Sequence, residues 1–254
     1  MKIVRQIAQL RKIIHASKSR GTVGLVPTMG DLHEGHLSLI RKSKKENRVT
    51  IVTIFVNPMQ FDKKKDFAMY HRNTVSDTNI ASKAGVDIVF VPSAREIYPP
   101  DFQTGIQVKR LAKHLCGPGR PGHFEGVAAI VLKLFNLTQP DRAYFGMKDY
   151  QQLLVITQLV KDLNLDLKII PCPTVREPSG LALSSMNRRL PPDALVRAAS
   201  IYAALQSAGD LLKSKNHIPM KKSDLQRVFS NRLDLAPRDQ VEYFDAVHPL
   251  TLEP

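Results

Sequence analysis

Two histidines, His33 and His36, flank Gly35 in the stretch PTMGDLHEGH that covers residues 27–36. An apolar run precedes this stretch and a helical pattern follows it, so both imidazoles are predicted at a helix N-terminus, where free backbone N–H groups attract anions. Gly30 and Gly35 let a ligand approach the backbone closely. Two imidazole donors there could bind phosphate oxygens and stabilise the charge that develops as pyrophosphate leaves. The alternatives are two ordinary loop histidines, or a metal pair that lacks a third nearby ligand.

Amide and charged side chains follow two further apolar runs. Asn57 and Gln60 come after the run at residues 49–56, and an amide that both donates and accepts suits a substrate with hydroxyl and carboxylate groups. After a later run, Lys148 can neutralise a phosphate and Asp149 can accept from ribose hydroxyls. A turn amide and a surface ion pair are the simpler interpretations of these two sets.

Three other segments carry polar residues with open roles. Gln151 and Gln152 begin a predicted helix, and one of them should face the cleft. Ser184 and Ser185 lie in a glycine- and serine-rich turn that could cradle a triphosphate, with an exposed loop as the alternative. The segment RPGH at residues 120–123 is either a mobile cover over the cleft or a simple loop.

The elements that must position these residues alternate between strands and helices. Apolar runs rich in β-branched residues predict strands at residues 22–27, 49–56, 86–91, 142–145 and 166–170. Helical patterns lie between them, at residues 35–47, 73–84, 125–137 and 150–163. This alternation predicts an α/β fold with a doubly wound parallel sheet, in which ligands bind at the carboxyl ends of the strands.

A cluster of prolines around residues 171–178 marks a change in organisation. Helices are predicted from residues 191–192 to about 214 and over 221–233, followed by a strand at 241–247. The sequence therefore predicts a larger domain over residues 1–174 and a small α+β lid domain over residues 175–254.

Composition narrows the class of protein. The chain has 254 residues, 43% of them hydrophobic, and a net charge of +14 that fits a polyanionic partner or simply a solvated basic surface. No apolar run approaches the roughly 18 residues of a membrane span, and the N-terminus lacks the apolar segment of a signal peptide. Cys116 and Cys172 are far apart, so free thiols in a reducing compartment, and thus a cytoplasmic protein, are expected.

The motif His-x-Gly-His in this context resembles the signature of the nucleotidyltransferase superfamily. Five further stretches narrow the resemblance to the pantoate–β-alanine ligase family. In chain order they are IFVNPMQF (54–61), RPGHFEGV (120–127), YFGMKDYQQ (144–152), PTVRE (173–177) and LSSMNRRL (183–190).

The resemblance implies a Rossmann-like fold and a two-step reaction. Pantoate attacks the α-phosphate of ATP to form pantoyl adenylate and pyrophosphate, and the amine of β-alanine then displaces AMP to give pantothenate. It also implies Mg²⁺ carried mainly by the phosphates, a homodimer, and neither nucleic-acid nor membrane partners.

The resemblance further assigns roles to individual residues. Catalysis falls to His36, assisted by His33 and Lys148, and Asp77 is the acid expected near magnesium. The substrate pantoate matches Met29, Asn57, Gln60 and Gln152, and Gln60 also borders β-alanine. The ATP site matches Met29, Gly30, His33, Gly35, His36, Gly146, Met147, Lys148, Asp149, Val175, Leu183, Ser184, Ser185 and Met186.

This sequence departs from the family pattern at three positions. The family has Glu, Arg and Pro where this chain has Met147, Met186 and His71, and it usually continues past Leu252 with one more apolar strand. Met186 matters most, because the family's arginine would face the ATP phosphates. Weak ATP binding is therefore expected, unless Arg188 or Arg189 takes over that role.

Two other functions compete with this interpretation. One is a different His-x-Gly-His nucleotidyltransferase that acts on a phosphorylated acceptor, but such an acceptor would favour basic residues over the paired glutamines. The other is a basic nucleic-acid-binding protein. The chain has no tryptophan, only six tyrosines and no recognisable binding module, which disfavours that alternative.

Overall fold

The fold is described from a computed structural model that covers residues 1–19, 21–214, 221–237 and 239–254. The chain divides into two units with separate networks of internal contacts, Met1–Pro173 and Thr174–Pro254.

A parallel sheet forms the centre of the first unit. Its six strands are β1 (Lys2–Val4), β2 (Val23–Thr28), β3 (Val49–Ile54), β4 (Ile88–Phe90), β5 (Arg142–Gly146) and β6 (Lys168–Cys172). They lie in the order β1-β4-β3-β2-β5-β6, and every neighbouring pair is parallel. The predicted doubly wound parallel sheet is therefore confirmed. Strand β1 was not predicted, because three residues are too few to show a pattern.

Helices cover both faces of this sheet. The helices described in this unit are α1 (Ile7–Lys18), α2 (Glu34–Glu46), α3 (Lys64–Ala68), α4 (Thr74–Lys83), α5 (Ala94–Ile97), α6 (His123–Thr138) and α7 (Tyr150–Asp162). Helices α1, α6 and α7 contribute to one buried apolar cluster, while α2 and α4 contribute to another. Because side chains alternate along a strand, β2 supplies Leu25 to the first cluster and Val26 to the second.

Two glycines bring helices unusually close to neighbouring backbone. A Cβ at Gly24 of β2 would collide with Ser43 and Asn47 of α2. A Cβ at Gly126 of α6 would collide with the carbonyl of Met59, in the 3₁₀ turn Pro58–Gln60 that follows β3. These contacts hold α2 against the central strand and α6 against the turn.

The second unit is mainly helical in its described residues. It contains α8 (Pro192–Ala198), α9 (Ser200–Ser214) and α10 (Lys222–Ser230), and its small core consists of Ala204, Ala208, Leu225 and Phe229. The single helix predicted over residues 191–214 is interrupted at Ala199, where the hydroxyl of Ser200 donates to the carbonyl of Arg197.

The strand predicted at residues 241–247 is wrong. The segment has no ladder partner among the described residues of this unit, which form only one isolated bridge, between Arg176 and Ala182. A strand requires a neighbour to accept its hydrogen bonds, and the residues of the segment alone cannot provide one. Phe244 instead stacks on Phe229 of α10, with ring centroids 4.2 Å apart.

Candidate active site

The candidate site lies at the carboxyl ends of β2, β3 and β5. The chain runs from β2 to β3 on one side, and β5 pairs with β2 on the other, so β2 stands at a switch in strand order. In open α/β sheets such a switch leaves a crevice where ligands bind. The predicted residues that follow these three strands are therefore brought to the same edge of the sheet.

The two histidines form the start of α2 by capping each other's backbone. His33 is the N-cap, and its Nδ1 accepts from the N–H of Gly35 at 3.1 Å. The Nδ1 of His36 accepts from the N–H of His33 at 3.3 Å, and the two ring centroids are 4.2 Å apart. Since a neutral imidazole carries one hydrogen, both rings must hold it on Nε2. The site thus presents two Nε2–H donors beside the positive end of a helix.

His36 is neutral at physiological pH. Burial lowers its pKa from 6.5 to about 3, and the adjacent imidazole of His33 and the charge of Lys148 act in the same direction. His36 therefore acts as a hydrogen-bond donor without a full positive charge.

Asp77 organises the loop between β2 and α2. Its Oδ1 accepts from the N–H of Leu32 at 2.8 Å and its Oδ2 from the N–H of Asp31 at 3.0 Å, while the side chain is 2% exposed. Gly30 has a φ of +83°, and a Cβ there would lie 2.8 Å from Asp77 Oδ2.

The hydrogen bonds of Asp77 give it a structural role in this loop, and the role expected for it near magnesium stays a prediction. Its two oxygens already bind backbone N–H groups, and within the described ranges no group of three or more His, Cys, Asp or Glu side chains could hold a metal ion. The sequence could not show this, because the partners of Asp77 are more than 40 residues away along the chain.

The predicted pantoate residues on the β3 side lie next to one another. Asn57 is 1% exposed and its Nδ2 donates to Gln60 Oε1 at 3.1 Å. The Nε2 of Gln60 lies 3.1 Å from the sulfur of Met29, which follows β2. Residues from two strand ends therefore meet around one amide.

After β5, the predicted residues are more exposed. Gly146 ends the strand, and Met147 is 42% exposed. Lys148 Nζ pairs with Asp149 Oδ1 at 3.2 Å, which matches the surface ion pair that was the simpler interpretation. The charge of Lys148 nevertheless acts on His36, so the lysine lies within electrostatic reach of the histidine pair.

The structure separates the roles of the two glutamines that begin α7. Gln151 is buried, and its Nε2 donates to the carbonyls of Leu111 and His114 at 2.8 and 2.7 Å. It therefore anchors the segment before α6. Gln152 is partly buried, and its role toward pantoate stays a prediction.

His123 and Tyr98 support predicted site residues through contacts that sequence reasoning missed. His123 is not part of a loop or a cover: it begins α6, is 6% exposed, and its Nδ1 donates to the carbonyl of Gln60 at 2.7 Å. The hydroxyl of Tyr98 donates to Asn57 Oδ1 at 2.9 Å. No local motif marks Tyr98, which lies 41 residues from its partner.

Five predicted ATP residues belong to the second unit. The N–H of Leu183 donates to the carbonyl of Val175 at 3.0 Å. The hydroxyl of Ser184 accepts from the N–H of Met186 at 3.3 Å and caps the 3₁₀ turn Ser185–Arg189. Met186 is 47% exposed. These contacts order the turn within its own unit, and the ATP role of all five residues stays a prediction.

Comparison with known proteins decides the family. A sequence model of the pantoate-beta-alanine ligase family matches residues 2–254. The chain belongs to this family. It is 49% identical to the pantothenate synthetase of Caldicellulosiruptor saccharolyticus over 256 residues, which cover 100% of this chain and 90% of that protein. It is 50% identical to that of Coprothermobacter proteolyticus over 222 residues, which cover 86% and 77%.

Solved structures agree with this assignment of the ligase. The pantothenate synthetase of Thermus thermophilus superposes with a TM-score of 0.92 at 41% identity, over 100% of this chain and 90% of that one. The Francisella tularensis ligase, solved with beta-gamma ATP and beta-alanine, gives a TM-score of 0.75 at 39% identity over 91% and 86%. The family and the Rossmann-like nucleotidyltransferase fold expected from the sequence are thus confirmed. Among the helices described for this ligase, none is long and apolar enough to cross a membrane.

Proposed function

We propose that the protein condenses pantoate with β-alanine to form pantothenate, at the cost of converting ATP to AMP and pyrophosphate, through a pantoyl-adenylate intermediate. The observation that carries this proposal is the pair of Nε2–H donors of His33 and His36 at the N-terminus of α2, in a chain that matches the ligase family along almost its full length.

In the first step, a carboxylate oxygen of pantoate attacks the α-phosphorus of ATP. The bond from that phosphorus to the bridging oxygen breaks, and pyrophosphate leaves with the electron pair. His36, assisted by His33, donates Nε2–H to the oxygens on which negative charge develops. Lys148 adds a positive charge that helps to hold the phosphates.

In the second step, the amine nitrogen of β-alanine attacks the acyl carbon of pantoyl adenylate. The bond from this carbon to the phosphate oxygen breaks, AMP leaves with the electron pair, and the amine releases its proton to solvent. Gln60 and Gln152 hold pantoate through its hydroxyl and carboxylate oxygens, with Met29 and Asn57 beside them. Gln60 also borders the β-alanine site.

We propose that the nucleotide binds at the carboxyl edge of the sheet and that the second unit acts as a lid domain. Magnesium would enter on the phosphates of ATP, since within the described ranges no cluster of protein ligands fits it. The residues proposed to surround ATP are Met29, Gly30, His33, Gly35, His36, Gly146, Met147, Lys148, Asp149, Val175, Leu183, Ser184, Ser185 and Met186.

We also propose a cytoplasmic homodimer. Cys116 and Cys172 are thiols and not halves of a disulfide, which fits a reducing compartment. Light scattering during size-exclusion chromatography measures the mass in solution, and a value of one chain would contradict the dimer.

The products of turnover test the proposed function. AMP and pyrophosphate should accumulate only when pantoate and β-alanine are both present, because the site contains no Walker-type loop to position a γ-phosphate. ADP as the nucleotide product would refute the proposal. Exchange of labelled pyrophosphate into ATP with phosphorylated acceptors, and none with pantoate, would identify a different nucleotidyltransferase.

A further inference from the structure

The amide of Asn57 has only one possible orientation. The carbonyl of Gly126 can only accept, and it lies 2.9 Å from Nδ2 of Asn57. The N–H of Met59 can only donate, and it lies 3.3 Å from Oδ1. Two backbone groups of opposite character therefore fix which end of this buried amide is the donor.

The orientation of Asn57 determines that of Gln60. The second hydrogen of Asn57 Nδ2 is directed at Gln60 at 3.1 Å, so the atom that faces it must be the acceptor, Oε1. The Nε2 group of Gln60 then faces away from Asn57, toward the weakly accepting sulfur of Met29 at 3.1 Å. Gln60 is thus set to offer N–H donors, and the complementary substrate group is a carboxylate or hydroxyl oxygen.

Tyr98 completes this set of contacts from outside the substrate site. Its hydroxyl donates to Asn57 Oδ1 at 2.9 Å, and burial raises its pKa, so the hydroxyl keeps its proton. Phe102 contacts the ring edge-on at a centroid distance of 5.0 Å, and Lys133 Nζ lies 5.6 Å from the ring centre. The ring is held independently of the hydroxyl.

We infer that Tyr98 is a positioning residue that acts through Asn57 to hold the Gln60 amide with its N–H donors toward the acid substrate. The inference rests on the proposed function, in which that acid is pantoate. Tyr98 itself does not belong to the set that contacts substrate.

Replacement of Tyr98 by phenylalanine removes only the hydroxyl and leaves the ring contacts. Tyr98→Phe should lower kcat/KM for pantoate about 3- to 10-fold, the effect of one net hydrogen bond, while KM for ATP stays within about twofold. Tyr144→Phe is the matched control: that buried hydroxyl also contacts an asparagine, accepting from Asn47 Nδ2, but it lies in the other apolar cluster. The control should leave kcat/KM for pantoate within about twofold of wild type.

A double-mutant cycle distinguishes positioning from a general structural effect. If Tyr98 acts through Gln60, Tyr98→Phe should cause no further loss in a Gln60→Ala background, because the amide it orients is gone. Three results would each overturn the inference: equal losses in both backgrounds, an unchanged kcat/KM for pantoate in Tyr98→Phe, or a collapse of the melting temperature of that variant. None of them affects the proposed function as long as the wild-type protein turns over pantoate and β-alanine. If the wild-type protein makes no AMP from pantoate and β-alanine, the proposed function fails and the inference fails with it.

Discussion

Replacing His36 with asparagine and with glutamine separates the hydrogen bond that its imidazole accepts from the one that it is proposed to donate to pyrophosphate. Asparagine places an acceptor oxygen near the position of Nδ1, so it can still receive the N–H of His33, but it has no group that reaches the position of Nε2. Glutamine places an N–H donor near Nε2 and has no acceptor near Nδ1. One variant therefore keeps the helix cap, and the other keeps the donor to the leaving pyrophosphate.

The expected magnitudes differ between the two variants. Loss of a donor to a developing oxyanion costs about 2.7–4 kcal/mol, so His36→Asn should lower kcat by about 10²–10³ and weaken ATP binding much less. Loss of a capping acceptor costs about 0.5–2 kcal/mol, so His36→Gln should lower the free energy of unfolding by that amount and retain more turnover than His36→Asn.

AMP formation at saturating substrates gives kcat, and urea unfolding at pH 7 gives the free energy of unfolding for each variant. His36→Ala, which removes both groups, serves as the common reference. Turnover near the wild-type value in His36→Asn would show that the histidine is structural. Equal kcat values in the asparagine and glutamine variants would refute the assignment of the donor to Nε2.

Three further predictions concern ATP, the loop and pH. Met186→Arg should lower the apparent ATP constant or raise turnover by about one to three kcal/mol in combined effect, because it restores a charged donor; no change, together with lost activity in Arg188→Ala, would show that a neighbouring arginine has that role. Asp77→Asn should lower the free energy of unfolding by about 1–3 kcal/mol, because the new amide N–H would face a backbone N–H. The magnesium dependence of turnover should stay unchanged, and a large increase in the magnesium requirement would instead show a metal role. The pKa of His36 falls from 6.5 to about 3 on folding, so its contribution to the free energy of unfolding is complete above pH 6.5. As the pH falls from 6.5 toward 3, this contribution decreases by up to about 1.4 kcal/mol per pH unit, because the unfolded chain binds the proton more readily. In urea unfolding at pH 7 and pH 5, His36→Asn should therefore lose less stability than wild type, and an equal loss would contradict this.

Local patterns predicted the sheet and the centre of the site. His33 and His36 lie within one stretch of sequence, so their placement at a helix start followed from the residues that precede and follow them. The apolar runs of β2 and β3 are buried on both faces of a parallel sheet, which makes them visible in a single sequence.

Contacts between distant segments could not be predicted in the same way. Which of Gln151 and Gln152 is buried depends on the segment around Leu111, and the hydroxyl of Tyr98 reaches Asn57 only because α5 folds beside the end of β3. The strand at residues 241–247 failed for a related reason: its valines and aromatic residues favour an extended chain, but pairing depends on a partner elsewhere.

Any library that aims to change the acid accepted by this enzyme should leave Gly126 untouched and vary Met29. A single methyl group at position 126 would collide with the carbonyl of Met59, so α6 or the turn Pro58–Gln60 would have to move, and Gln60 would move with it. Met29 contacts the same amide with a flexible, half-buried thioether, which smaller or larger side chains can replace without shifting backbone. New substrates are therefore more accessible to directed evolution from the β2 side of the crevice than from α6.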